Sequence, residues 1–240
     1  MKQRFFQLDT EWNVIHYPEK PNGFGVLVIG GAGHFVEEKN SFWLQHVGRN
    51  IWLQDLKEAG YTVFCSNLYG NHWGSEEAIS LVDSLYHYVL RHEILNQKIH
   101  IFAEGMGALI IPSLVQILQG KIRSINIVDP YLSIQEKMDE EKHHLFFYKK
   151  FMNELENSNP DYKNQIHFNS SADQWLFKEP LSIFYVMEGN RLSLKNESIE
   201  KIVKKRKQIL APTQIRYILP ERRTHISKLV IRNLMENEEL

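Results

Sequence analysis

Lys98 to Ile110, reading Lys-Ile-His-Ile-Phe-Ala-Glu-Gly-Met-Gly-Ala-Leu-Ile, carries the strongest chemical pattern in this chain. Ile99 and Ile101 alternate with His100, which reads as a strand. Ala103-Glu104-Gly105-Met106-Gly107 is small enough for a sharp turn, and the apolar stretch from Ala108 to Leu118 predicts a helix. Strand, tight turn and helix are the setting of a nucleophile elbow, G-x-S-x-G, which holds a serine hydroxyl out for attack on a carbonyl carbon. Here the pattern reads A-x-G-x-G, with Gly105 in the serine position. Glycine has no side chain, so no covalent step of the serine type can begin there. What survives is backbone: the N–H of Met106 could still hold an oxyanion.

A second backbone feature is Gly30-Gly31-Ala32-Gly33, directly after the apolar run Gly25 to Ile29. Three readings fit it. A dinucleotide-binding turn needs G-x-G-x-x-G, and the third glycine is absent. A plain tight turn is the second. The third is an oxyanion loop, in which the N–H groups of Gly31 or Ala32 face developing negative charge and His34 lines the pocket.

Other reactive side chains read as structural. Cys65 lies in an apolar run and is expected to be an inert buried thiol. Ser75 is expected to cap a helix. Glu104, just before the elbow tip, is expected to point away from a ligand. His143 and His144 with Glu140 and Glu141 hint at a metal, but adjacent helical residues point about 100° apart, so no metal is expected. Lys204-Lys205-Arg206-Lys207 reads as the wet face of an amphipathic helix.

Composition narrows the classes. The chain has 240 residues, a net charge of −1 and one cysteine. The length suits one large α/β domain, alone or with an insertion. The charge gives no reason to expect nucleic acid. One cysteine excludes an internal disulfide and a cysteine-only metal cage. Charge interrupts the N-terminus before any signal-like apolar run forms, and no stretch reaches the length of a membrane span. A soluble cytoplasmic protein with no membrane partner is the expectation.

The elements that must position these residues alternate. Arg4–Leu8 and Trp12–Tyr17 read as two opening strands, and Gly25–Ile29, Tyr61–Cys65, Lys98–Phe102, Ile122–Val128, Leu181–Met187 and Thr213–Leu219 as six more. Helices are expected from Phe42 to Ala59 behind an Asn40-Ser41 cap, after Ser75, after the elbow, from Ser193 or Asn196 to Leu210, and from His225 to about Met235. Residues 131–180 break the alternation. They are too long for a bare connection and form an inserted element. Strands alternating with helices predict a mostly parallel sheet of about eight strands covered on both sides, with ligands beyond the strands' carboxyl ends.

The order of strand, glycine loop, elbow, strand ending in Asp129, insertion and terminal His225 resembles the α/β-hydrolase superfamily over essentially the whole chain. Ile29-Gly30-Gly31-Ala32-Gly33 resembles its oxyanion segment, with isoleucine where many members carry histidine. Tyr69-Gly70-Asn71-His72-Trp73-Gly74-Ser75 resembles its G-x-G-x-S loop, with one extra residue. The resemblance implies a core of 1–130 and 181–240 and a helical cap over 131–180. It also implies a base, His225, oriented by a carboxylate. The usual acid loop, after Met187, offers Glu188 and no aspartate. Asp129, one strand earlier, is the other candidate.

A glycine elbow in this layout reads first as a pseudoenzyme. The pocket under the cap then binds a small molecule, or the protein binds a partner, with no cofactor. The second reading is a hydrolase or lyase that uses His225, Asp129 and the oxyanion hole without a covalent step. The third is a serine esterase inactivated by a Ser→Gly change. The last is an interaction protein using Phe146, Phe147, Tyr148, Trp175 and Phe177 as a surface.

Overall fold

The alternating runs become one sheet. The computed structural model describes residues 2–160, 162, 172–187 and 191–238, with backbone alone for 191–197. The strands are β1 (Gln3–Leu8), β2 (Glu11–His16), β3 (Gly25–Ile29), β4 (Thr62–Ser66), β5 (Ile99–Glu104), β6 (Ile122–Val128), β7 (Leu181–Val186) and β8 (Thr213–Ile218). They form one eight-stranded sheet in the order β1-β2-β4-β3-β5-β6-β7-β8. β1 and β2 are antiparallel to each other, and β2 to β4; every pairing from β4 to β8 is parallel. β3, β4 and β7 are buried along their whole length. That is why their sequences run apolar without alternation.

Helices cover both faces. One core layer joins the sheet to α3 (Glu76–His92), α4 (Ile111–Ile117) and α7 (Arg191–Gln208), through residues such as Leu85, Leu114 and Ile202. The opposite layer packs α2 (Val47–Glu58) and α8 (Ile226–Met235) against Val28, Phe102 and Phe184. Ser75 caps α3 as expected, accepting from the Ala78 N–H at 3.3 Å.

Three local expectations are corrected. The helix over 42–59 is two helices, α1 (Phe42–Gln45) and α2, broken at His46, whose backbone is extended. Ser41 makes no side-chain cap; His46 Nδ1 caps α2, accepting from the N–H groups of Gly48 and Arg49. After the elbow the chain first makes a 3-10 helix, Gly105–Ile110, and becomes α4 only at Ile111.

The third correction is Arg206, expected in water but wholly buried. Its guanidinium donates to the carbonyls of Trp175, Phe177, Glu179 and Pro212, and to Thr213 Oγ1 at 2.7 Å. Burial pulls its pKa down to about 10. This one side chain ties the approach to β7 to the approach to β8.

Between β6 and β7 lie α5 (Ile134–Glu141) and α6 (Leu145–Ser158). Ile134, Phe151, Leu155 and Tyr162 form a separate apolar cluster with Trp73, Met106 and Leu109. This segment therefore packs on the elbow and on the loop after β4. Trp175 and Phe177, expected at its surface, are buried in the main core.

Candidate functional site

β3 and β5 are neighbours, in register from Val26 opposite His100 to Ile29 opposite Ala103. Their loops therefore leave the sheet side by side. The strand order reverses at this point, where open α/β sheets leave a crevice for ligands. This topology brings Gly31 and Gly105 together.

Gly105 has φ +51°, a left-handed conformation that glycine adopts at little cost. A Cβ at position 105 would meet one heavy atom outside the adjoining residues within 4 Å, the Cα of Gly31 at 3.7 Å. The turn therefore aims its tip at the glycine loop and leaves room for a small side chain. Gly107 is different. A Cβ there would lie 2.5 Å from the Ile29 carbonyl oxygen and 2.9 Å from that of Gly30. Glycine at 107 is fixed by the close approach of two backbones.

The glycine loop faces this turn. Gly31 lies over Glu104: its Cβ would stand 3.4 Å from the Glu104 carbonyl oxygen. Ala32 is exposed and Met106 buried. The Met106 N–H belongs to the first turn of the 3-10 stretch, where a helix supplies no acceptor of its own. Met106 Sδ accepts from the Trp73 N–H at 3.3 Å. His34 turns inward beneath the loop. It is buried, packs edge-on to Phe42 at 6.0 Å, and burial holds its pKa down to about 4. Gly30 is obligatory above it, because a Cβ there would fall 2.0 Å from His34 Cγ.

Behind the elbow lies an ionic chain. Glu104 pairs with Arg49 in a two-pronged contact, Oε2 to Nε at 3.1 Å and Oε1 to Nη2. The Arg49 guanidinium also lies over Trp52 at 4.8 Å. Arg223 Nη2 stands 3.8 Å from Glu104 Oε1 and 3.8 Å from Asp129 Oδ2. The Trp52 indole N–H donates to the Arg223 carbonyl at 3.2 Å. Glu104 is thus held in a paired charge.

Asp129 ends β6 with φ +45°, and its Oδ1 accepts from the Val186 N–H at 2.8 Å. His225 ends the 3-10 turn Pro220–His225 and precedes α8, the position the sequence assigns it. Its side chain is exposed and makes no hydrogen bond or ion pair among the described residues. The structure therefore does not join His225 to Asp129; among the described residues a cation beside Asp129 is Arg223. Glu188 lies outside the described residues. Cys65 is buried, and burial pushes its pKa up to about 12, so no thiolate replaces the serine. Among the described residues no group of three or more His, Cys, Asp or Glu is placed to hold a metal ion. No helix among them is long and apolar enough to cross a membrane.

The segment between β6 and β7 is fastened to this site by Glu154 of α6. Its Oε2 accepts from Asn71 Nδ2 at 2.9 Å and from the Trp73 indole N–H at 3.3 Å. Asn71 Oδ1 in turn accepts from the Gly33 N–H at 2.8 Å. α6, the loop after β4 and the glycine loop form one hydrogen-bonded unit. Sequence reading missed Arg49, Arg223, Asn71 and Glu154. Arg49 had left a sign: it shares the spacing of Trp52, Leu53 and Leu56 and so falls on the apolar stripe of α2.

No family model matches the chain, and no curated protein matches it by sequence. Solved structures match nearly all of it. Carboxyl esterase 2 from the mycorrhizal fungus Tuber melanosporum superposes with a TM-score of 0.71 at 9% identity, over 99% of this chain and 87% of that one. S-formylglutathione hydrolase from Agrobacterium tumefaciens gives 0.65 at 12%, over 98% and 93%. Est1E from Butyrivibrio proteoclasticus gives 0.64 at 10%, over 99% of both chains. At such identities the likeness is one of fold. The chain has the α/β-hydrolase fold, as its sheet order and layers require.

Proposed function

We propose that this chain is a pseudoenzyme of α/β-hydrolase fold. It binds a small molecule in the cleft between the Gly30–Gly33 loop and the elbow, with residues 131–180 as a cap. The observation that carries this reading is Gly105 itself. It stands at the tip of a turn with φ +51° and has space before it, yet it brings no side chain. The ionic chain supports the same reading. Asp129 is engaged by Arg223 and the Val186 N–H, so it is not free to orient an imidazole. The backbone N–H groups of Met106 and of Gly31 or Ala32 would meet a carbonyl or carboxylate oxygen there.

The test is Gly105→Ser assayed on short p-nitrophenyl esters beside the parent chain. Hydrolysis by neither protein, with ligand-induced thermal stabilisation of both, is the expected outcome. Turnover by the parent that His225→Ala abolishes would replace this reading with a hydrolase or lyase acting without a covalent step. Turnover by Gly105→Ser alone would mean that the base and acid remain competent, and that the serine is the one part missing.

A further inference from the structure

Residues 142–150 read Lys-His-His-Leu-Phe-Phe-Tyr-Lys-Lys. At the start of α6, Leu145 is 68% exposed, Phe146 75% and Phe147 55%. Three successive helical residues fan over about 200° of the helix surface. They form no stripe to lie in a partner's groove; they make a blunt apolar knob at the helix end. The inward face of α6 is carried by Phe151 and Leu155 instead. The knob's internal contacts are slight: Phe146 meets Phe147 edge-on at 5.5 Å, and His144 meets Phe147 at 6.2 Å.

The stretch that forms the knob carries charge of one sign. Residues 142–150 hold three lysines, two histidines and no carboxylate. Lys142 is paired with Asp139 at 3.2 Å, and Lys150 stands 3.9 Å from Glu154. Lys149, His143 and His144 are exposed and have no ion pair among the described residues. The nearby carboxylates of Glu140 and Glu141 turn to Lys137. Exposed apolar side chains set among cations form the pattern of a segment that enters the boundary between lipid headgroups and acyl chains.

We propose that this end of α6 docks the protein on an anionic lipid bilayer. Phe146 and Phe147 enter the acyl boundary. Lys149 and Lys150 meet headgroup phosphates. The chain as a whole is near neutral; the local asymmetry is what favours a bilayer. The inference is independent of whether the cleft is catalytic.

The test is co-sedimentation with vesicles of equal parts phosphatidylcholine and phosphatidylglycerol, beside vesicles of phosphatidylcholine alone. Binding to the mixed vesicles only, weakened by salt, is expected. Lys149→Ser with Lys150→Ser should weaken partition about five-fold per lysine. Phe146→Ser with Phe147→Ser should weaken it at least about ten-fold. All four sites are exposed, so the variants should melt with the parent. Absence of binding at low salt, or binding indifferent to the phenylalanine pair, overturns the proposal. So does self-association of the parent that the phenylalanine pair abolishes, since the knob would then serve a second copy of the chain.

Discussion

Arg223 Nη2 lies 3.8 Å from Asp129 Oδ2, on a loop that ends two residues later at His225. The carboxylate that an α/β-hydrolase fold would turn toward a base is here turned toward a guanidinium. The second face of Arg223 meets Glu104, which Arg49 already holds. Two arginines and two carboxylates thus join α2, β5, β6 and the turn before α8.

The members of this chain should differ in cost. Arg49→Ala leaves the Glu104 carboxylate buried without its main partner, and about 3–5 kcal/mol of stability should be lost. Arg223 is one-third exposed, and water replaces much of what it gives; Arg223→Ala should cost about 1 kcal/mol. His225→Ala should stay within about 0.5 kcal/mol of the parent. Urea unfolding of the three variants ranks them, and a His225→Ala cost above that of Arg223→Ala would contradict the geometry.

Two glycines two residues apart should respond differently to alanine. At Gly107 the added carbon meets two backbone oxygens, at 2.5 and 2.9 Å, that cannot move without shifting β3. Gly107→Ala should lose about 3 kcal/mol or fail to fold. At Gly105 there is room, and the cost is the left-handed φ, about 1–2 kcal/mol. Thermal melts of the pair check this, and equal losses would mean that the turn relaxes as a unit.

Acid should destabilise the fold through buried imidazoles. Burial holds His16, His72 and His100 at pKa about 3, and His34 at about 4, below the ordinary 6.5. Above pH 6.5 neither folded nor unfolded chain protonates them, and their contribution is complete. Below it the unfolded chain takes up protons that the folded chain refuses, so stability falls as pH falls toward 4. At pH 5 the loss is about 2 kcal/mol for each such histidine. Urea midpoints from pH 7.5 to 5 measure it; a flat profile would show that these rings are not sealed from water.

Glu154 should couple α6 to the glycine loop. Glu154→Ala removes the acceptor for Asn71 and Trp73, and Asn71 then holds Gly33 less firmly. Amide exchange at Gly33 and along 67–75 should speed up about ten-fold, the equivalent of one charge-assisted hydrogen bond. Glu154→Gln, which keeps an acceptor oxygen, should recover part of the protection. Unchanged exchange in Glu154→Ala would show that the two loops are held by packing alone.

Much of the fold was legible because buried strands and amphipathic helices leave periodic marks. The runs Gly25–Ile29 and Leu181–Met187 announced central strands, and the alternation of elements announced a parallel sheet. The elbow was legible because its turn needs small residues in fixed places, Gly107 above all. Boundaries failed where a local choice overrode the pattern. His46 broke a continuous apolar spacing because, from an extended backbone, its imidazole caps α2. Arg206 looked like one of four solvated cations, and only five oxygens converging on it place it inside.

By itself the sequence determined that a mostly parallel sheet of about eight strands would form, that the elbow would carry no nucleophile, and where a final histidine would fall along the chain. These follow from side-chain volume, periodicity and the absence of a Cβ, which are properties of the local chain. Which charges meet was decided only by the tertiary structure. Arg49, Glu104, Arg223 and Asp129 come from four distant segments, and nothing in their spacing pairs them. The partner of Asp129 follows from how the turn before α8 packs across the ends of β5 and β6.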